Sequence, residues 1–203
     1  MMIICPLRRS NPAMMSAIAA AWLLCSVQAQ AQGDAASRNF VTRLNLSIQT
    51  AVTGAANPAS AAQRLCQDLS AWALDFDSMM PVAAAGAWER MSPAQQGAYR
   101  AAFRRRVAGD CVRNAAGQLR NTIELAGVRM LAAGDRYIAT RSSGDQPTKA
   151  LMWRARPGKG GALRVTDVLV DGRSAVLTAR DEAKTVLEQH AGDIGALIES
   201  LNR

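Results

Sequence analysis

Histidine is almost absent from this sequence: there is one, His190, in 203 residues. With it go most of the usual metal sites and the histidine-based acid–base and nucleophilic constellations, because no cluster of Cys and His has ligand spacing. No glycine-rich phosphate loop and no Gly-x-Ser-x-Gly elbow occur either. Aromatic residues make up 4% of the chain, too few for an evident platform on which bases or sugars would stack. No apolar run reaches the roughly 20 residues that a membrane-spanning helix needs. No cofactor and no metal is called for, and these absences favour a binding protein over an enzyme.

The N-terminus carries a basic pair, Arg8-Arg9, then the uncharged apolar stretch "AMMSAIAAAWLLCSV", then "AQAQ". This order of charge, apolar core and small residues reads as a secretory signal peptide over 1–31, cleaved after Ala29 or Ala31. Leu24 directly before Cys25 argues against a lipobox. The remaining 32–203 is one domain of ordinary size. The net charge is +8, and the leader holds only two of the arginines, so the exported domain stays basic. A basic exported protein suits an anionic membrane surface or acidic partners, and nucleic acid is a poor match for that compartment. Cys66 and Cys111 are the two cysteines left after cleavage. A pair in an oxidising compartment points to a disulfide, with two buried free thiols as the alternative.

Helical patterning dominates the first half. Phe40, Leu44, Ile48 and Val52 recur every four residues. "GAANPAS" is a loop, and Pro58 opens a second helix running to about residue 74, with Leu65, Leu69 and Trp72 on one side. Asp77 or Ser78 is placed to cap a short helix ending near Gly86. In "MSPAQQ", Ser92, Pro93 and Gln95 form a capping-box signature with proline at the first helical position. The helix it starts reaches about Gln118 with Tyr99, Phe103, Val107 and Cys111 in register. The texture then changes to four strand-like runs, "TIELAGVRML", "RYIATRS", "ALMWRAR" and "LRVTDVLV", separated by turn compositions. Two helices close the chain, at about 176–190 and 194–202, the last capped by Asp193. The fold class is α+β: an antiparallel sheet of about four strands with helices over one face, and room for a cavity between the layers.

One corner resists simple reading. "VTDVLVDGRSAV" (165–176) ends a strand at Asp171-Gly172, a strong hairpin signal, yet the residues beyond it have helical composition. The sequence therefore predicts a junction between the last strand and the first closing helix, with Ser174 as the helix cap. Asp75 and Asp77 could pair as carboxylates, but capping and turn formation are the commoner use. Arginines 104–106 point in different directions on a helix, which fits a solvated face with one or two docking arginines.

Taken in order, three blocks resemble the Mla-type periplasmic phospholipid-binding proteins, also called the toluene-tolerance auxiliary component. The first is "LDFDSMMPVAAAGAWERMSPAQQGAYRAAF", where Phe76-Asp77, Gly86 with Trp88, Ser92-Pro93 with Gln95, and Phe103 match. In the second, "VTDVLVDGRSAVLTARDEAKTVL", the matches are Asp167, Gly172, Ser174 and Arg180. The third is "GDIGALIESL". Cys111, Thr166 and Ala179 stand where that family often has tyrosine, so the chain looks like a divergent branch. The resemblance implies a curved antiparallel sheet packed by helices around a hydrophobic pocket, and no catalytic residues. It also implies a lipid shuttle between an outer-membrane lipoprotein/porin complex and an inner-membrane MCE-domain ABC transporter, carrying phospholipid or a hopanoid-like lipid. On that basis Trp88, Phe103, Val107, Ile138, Leu151, Trp153, Val168 and Val170 are the expected pocket walls. Arg90, Arg104 or Arg173 is the expected headgroup ligand, since a guanidinium binds phosphate by forked hydrogen bonds. Two other readings stand beside it. A small-molecule enzyme on a similar cone-shaped sheet would need a buried Asp, Tyr or His in the pocket, with Asp167 as the candidate. A structural envelope adaptor using only its basic face would have a fully packed interior.

Overall fold

The computed structural model describes residues 35–144 and 150–202, so the leader expected at 1–31 lies outside the described residues. Helix α1 covers 35–53 and buries Phe40, Val41, Leu44, Ile48 and Ala51, the four-residue stripe evident in the sequence; Val52 turns outward. Helix α2 (Pro58–Trp72) starts at a capping box in which the side chains of Asn57 and Ser60 satisfy each other's backbone amides. A polar lock joins the two helices: Ser47 Oγ donates to Asp68 Oδ2 at 2.5 Å, and Trp72 Nε1 donates to the same carboxylate at 3.0 Å. Cys66 of α2 is disulfide-bonded to Cys111 of α4 (Pro93–Ala115).

Helix α3 (Phe76–Ala83) is capped by Asp75, not by Asp77 or Ser78. The reason lies in the approach of the chain. Residues 73–75 lie along the edge of a strand, with Val165 N–H donating to Ala73 O at 2.7 Å and Asp75 N–H donating to Val165 O at 2.8 Å. Only after that pairing can the chain turn into helix, which makes Asp75 the residue at the boundary. A single 3-10 turn, Trp88–Arg90, leads to Ser92, whose side chain caps α4 as predicted. Helix α4 ends at Ala115, before Gln118, because Gly117 and its turn redirect the chain into the sheet.

The sheet is an antiparallel meander of five strands in sequence order: β1 (Thr122–Met130), β2 (Arg136–Ser143), β3 (Ala150–Pro157), β4 (Leu163–Val170) and β5 (Arg173–Ser174). Register shifts between Leu125 and Gly127 and between Arg154 and Ala155 mark irregularities of the bulge kind, which bend and twist a sheet. The fifth strand resolves the Asp171-Gly172 corner. The dipeptide does make a two-residue hairpin, with φ of 50° and 77° at the two positions, as a type I′ turn requires. The returning strand pairs for only two residues, Val170 with Arg173 and Leu169 with Ser174. Ser174 then caps α5 (Ala175–Gln189) through the Leu177 amide at 2.9 Å, and Asp167 accepts the Val176 amide at 3.1 Å. Hairpin and helix start therefore share one residue. Helix α6 (Ile194–Ser200) closes the chain with Asp193 as its cap.

Both sheet edges are managed by the helical half. Asn45 of α1 holds β1 by two bonds, Nδ2–H to Ile123 O at 2.7 Å and Ile123 N–H to Oδ1 at 2.9 Å. On the far side, the Arg164 guanidinium donates to the carbonyls of Ala71, Trp72 and Leu74 at 3.1, 2.8 and 2.6 Å, which fixes the C-terminus of α2 to β4.

The disulfide and the hairpin corner each have a measurable weight in stability. Replacing both Cys66 and Cys111 by serine is expected to cost about 4 kcal/mol, because a 45-residue loop is released in the unfolded chain; denaturant unfolding of the variant against the oxidised protein measures it. A Cβ at Gly172 would meet nothing within 4 Å, so Gly172→Val is expected to cost only the backbone term for a branched residue at positive φ, about 1–2 kcal/mol. An unchanged unfolding midpoint would remove the turn from the account.

Candidate functional site

The covered face of the sheet is assembled by register. Ile138, Trp153 and Val168 are direct cross-strand partners, and so are Thr140, Leu151 and Val170. Five of the eight expected wall residues thus lie on one face, in two adjoining rows. Trp153 organises them. Its indole Nε1–H donates to Thr140 Oγ1 at 2.8 Å, and its ring meets Phe40 of α1 edge-on at 5.6 Å. Phe40 in turn contacts Trp72 at 5.6 Å, whose other face carries the Arg43 guanidinium at 4.3 Å.

Burial falls along these rows. Ile138 is 0% exposed and Trp153 7%, Leu151 and Val168 are half-buried, and Val170 is 44% exposed. The apolar face is therefore closed at its centre and reaches solvent at the Asp171-Gly172 hairpin. Leu177, exposed in the first turn of α5, is apolar as well. At the other end of the face β2 buries a charge: Arg136 donates to Gly134 O at 3.2 Å, and burial pulls its guanidinium pKa down against the pull of Asp135.

The remaining wall candidates belong to the helical layer. Phe103 lies in a four-ring cluster: it stacks on Tyr99 at 5.9 Å and meets Phe76 edge-on at 6.3 Å, and Trp88 meets Tyr99 at 6.1 Å. Val107, one turn further along α4, is partly buried against the core. Trp88 and Phe103 thus share one aromatic cluster built around Tyr99, and among the described residues it makes no ring contact with that of Trp153. Sequence reasoning missed Phe40, Trp72, Phe76 and Tyr99 as parts of these clusters. Phe40, Trp72 and Tyr99 sit on apolar helical stripes, which is the signal that could have found them; Phe76 stands out only as a motif match.

The three headgroup candidates lie on separate elements and are all exposed. Arg104 sits with its guanidinium 4.9 Å above the Phe76 ring. Arg90 lies beside the turn between α5 and α6, 3.7 Å from where a side chain at Gly192 would begin. Arg173 is the direct strand partner of Val170, at the exposed end of the apolar face. Asp167, the candidate for an acid–base role, is occupied in holding the Val176 amide.

Two surface grooves accompany this core. One, of about 430 Å³, runs between α2 and α4 along the disulfide and is lined by Gln63, Cys66, Gly109 and Val112. The other, of about 420 Å³, lies between α1 and the start of β1 and is lined by Ile48, Val52, Leu119 and Thr122. No wall candidate lines either groove. Seven of the eight, all but Val170, are core residues or pack against the core, while Val170 stays exposed. Among the described residues, no three His, Cys, Asp or Glu side chains gather as metal ligands, and no helix is long and apolar enough to cross a membrane.

The MlaC protein family matches residues 39–203 of the chain. Among solved structures, the chain is similar to the phospholipid-binding protein from Ralstonia solanacearum in complex with a phospholipid. The two share 19% sequence identity at a TM-score of 0.60, over 78% of this chain and 94% of that one. No curated protein matches the sequence.

The graded burial yields a contrast. Trp153→Ala is expected to lose about 3–5 kcal/mol, the cost of emptying a filled aromatic site. Val170→Ala, at the exposed end of the adjoining row, is expected to lose less than about 1 kcal/mol. Chemical denaturation of the two variants side by side checks the gradient; equal losses would contradict it.

Proposed function

The chain belongs to the MlaC family, and from that premise we propose that it is a periplasmic lipid carrier. In this reading it takes phospholipid, or a hopanoid-like lipid, between the outer membrane and an inner-membrane MCE-domain ABC transporter, with an outer-membrane lipoprotein/porin complex as its other partner. The observation that carries the proposal is the covered sheet face, whose rows grade from the fully buried Ile138 to the exposed Val170 at the hairpin, in a fold shared with a phospholipid-binding protein.

The mechanism is a solvation argument. Each methylene exposed to water costs about 0.8 kcal/mol, so acyl chains are carried only if protein surrounds them. Two chains need an enclosure near the upper end of ordinary pockets, about 1,000 Å³. In the structure Ile138, Trp153, Leu151 and Val168 of these rows belong to the core or pack against it. Lipid enters by exchanging side chain–side chain contacts for side chain–acyl contacts, both apolar, so the exchange is cheap once the layers part. It begins at Val170 and Leu177, where apolar side chains already meet water. Small residues beside the aromatic cluster, such as Ala83, Ala84 and Ala87, leave room for displacement and are all buried. Arg173 is the best placed of the three arginines for a phosphate, because it pairs with Val170 at that opening; Arg104 already covers a ring, and Arg90 neighbours the α5–α6 turn. The export signal expected at 1–31, the disulfide and the basic charge all suit the periplasm.

The competing reading is an envelope adaptor that uses only its basic face and carries no cargo. A single experiment separates them. The protein is isolated from its own envelope without harsh detergent and weighed by native mass spectrometry. A carrier is expected to bring one lipid per chain, released on denaturation and identifiable in the organic extract. Protein that is lipid-free, and that stays lipid-free after incubation with phosphatidylglycerol vesicles, is an adaptor. In the carrier, Arg173→Glu is expected to lower lipid retention several-fold while leaving the unfolding free energy within about 0.5 kcal/mol of wild type, as for an exposed site.

A further inference from the structure

The outer edge of β1 is largely open. The strand pairs with β2 on one side, and on the other Asn45 bonds it at Ile123. Among the described residues nothing else hydrogen-bonds that outer edge as far as Met130. Ala126, Arg129 and Met130 are exposed along it. The strand carries neither lysine nor proline, two residues that guard free edges, and its one irregularity is the bulge between Leu125 and Gly127.

The bulge decides what this edge can accept. Ile123 turns its amide and carbonyl outward to Asn45, so by the alternation of an antiparallel ladder Leu125 faces outward too. Beyond the bulge, the pairing with β2 gives that orientation to Val128 and Met130. Side chains shift in step. Glu124, Gly127 and Arg129 stand on the uncovered face, opposite Arg141, Ala139 and Tyr137. Leu125, Val128 and Met130 stand on the covered face, opposite Thr140, Ile138 and Arg136. A regular strand alternates strictly and cannot match both sides of this break. A strand with the same break can, if it runs antiparallel with Leu125 facing the other's Val128. Glu124 then lies opposite Arg129, each pair shares a face, and the arrangement maps onto itself under a two-fold axis. The charges agree with that register. Bonds from Arg141 and Ser143 hold the Glu124 carboxyl below its usual range, so it stays anionic. Arg129 covers Tyr137 at 5.3 Å and, among the described residues, meets no carboxylate.

We propose that a second copy of this chain docks on the β1 edge, joining the two sheets into one through their β1 strands. Leu125 and Val128 exchange backbone hydrogen bonds across the axis, and Glu124 of each copy meets Arg129 of the other. The ladder stops at Ile123, where Asn45 already fills the edge. There the second copy's Met130, 42% exposed in the single chain, leaves the ladder on the covered side. It enters the groove of about 420 Å³ between α1 and the start of β1, lined by Ile48, Val52, Leu119 and Thr122. Val52, exposed in the single chain, gains apolar cover from it. The Asp171-Gly172 hairpin belongs to the opposite edge of the sheet, so both copies keep it free. The inference therefore holds for a carrier and for an adaptor alike.

The test is sedimentation velocity of the full mature protein with its disulfide intact. Wild type is expected to pass from monomer to dimer between about 1 and 100 µM, as a small interface does. Arg129→Glu and Glu124→Arg each set like charges across the axis and are expected to weaken the dimer about tenfold or more. An equimolar mixture of the two variants restores both opposite-charge pairs and is expected to dimerise as wild type does, which misfolded protein cannot imitate. Met130→Ser is expected to weaken the dimer several-fold with the monomer's melting temperature unchanged. Wild type that stays monomeric over the whole range overturns the inference. So does a dimer untouched by the charge variants or by Met130→Ser, or a mixture no more dimeric than its components, since each puts the contact elsewhere.

Discussion

Trp153 is where the two layers of this domain meet. A single-layer sheet can be stable only if one face is taken out of water, and here the helices of the first half must do it. The indole spends its one N–H on Thr140 of the neighbouring strand and offers its ring to Phe40 of α1. One side chain thus ties β3 to β2 through a hydrogen bond and the sheet to the helices through aromatic contact. Phe40 passes the contact to Trp72, and Trp72 joins the Ser47–Asp68 lock between α1 and α2. The chain of contacts runs without a break from the middle of the sheet to the helix pair bonded through Cys66 to α4.

The edges answer to the same requirement. A meander leaves two free edges, each a row of unpaired amides and carbonyls. Asn45 occupies one position on β1 as an extra strand residue would, while residues 73–75 run along β4 and Arg164 gathers the carbonyls behind them. Where β4 continues past that cover, the hairpin and β5 take over for two residues and turn directly into α5. The outer end of β4 is thus held by the shortest possible strand. That is also where the apolar face reaches water at Val170, which places the least reinforced part of the sheet at the proposed lipid entrance.

Local chemistry is legible in the sequence, and tertiary substitution for it is not. Ser92, Ser174 and Asp193 can be recognised as caps because a cap needs only its own next three residues. Asp75 is harder to choose over Asp77 because the deciding event, pairing of residues 73–75 with Val165, joins positions about ninety apart in sequence. The hairpin signal at Asp171-Gly172 is sound, but two residues are too few to show the alternation that marks a strand. The wall residues on the sheet are legible as strand positions, and their shared face comes from register. Their degree of burial is not legible, since Ile138 and Val170 look alike in sequence and differ only in where the helices stop.

The arginines show why net charge is a poor guide to function here. Much of the positive charge on α4 is committed to the protein itself. Arg100 covers Trp88 and faces Asp77; Arg105 reaches Asn202; Arg106 bridges Asp110 and Glu182; and Arg113 pairs with Asp110. Arg104 covers Phe76. These contacts fasten α4 to its neighbours from the outside while its inner face holds the aromatic cluster. A helix so fastened is a poor mobile lid. Among the described residues Arg173 makes no such contact, and the strand that carries it pairs over two residues only. If the layers part to admit acyl chains, the separation therefore begins at the hairpin end, with α4 and its rings as the fixed wall.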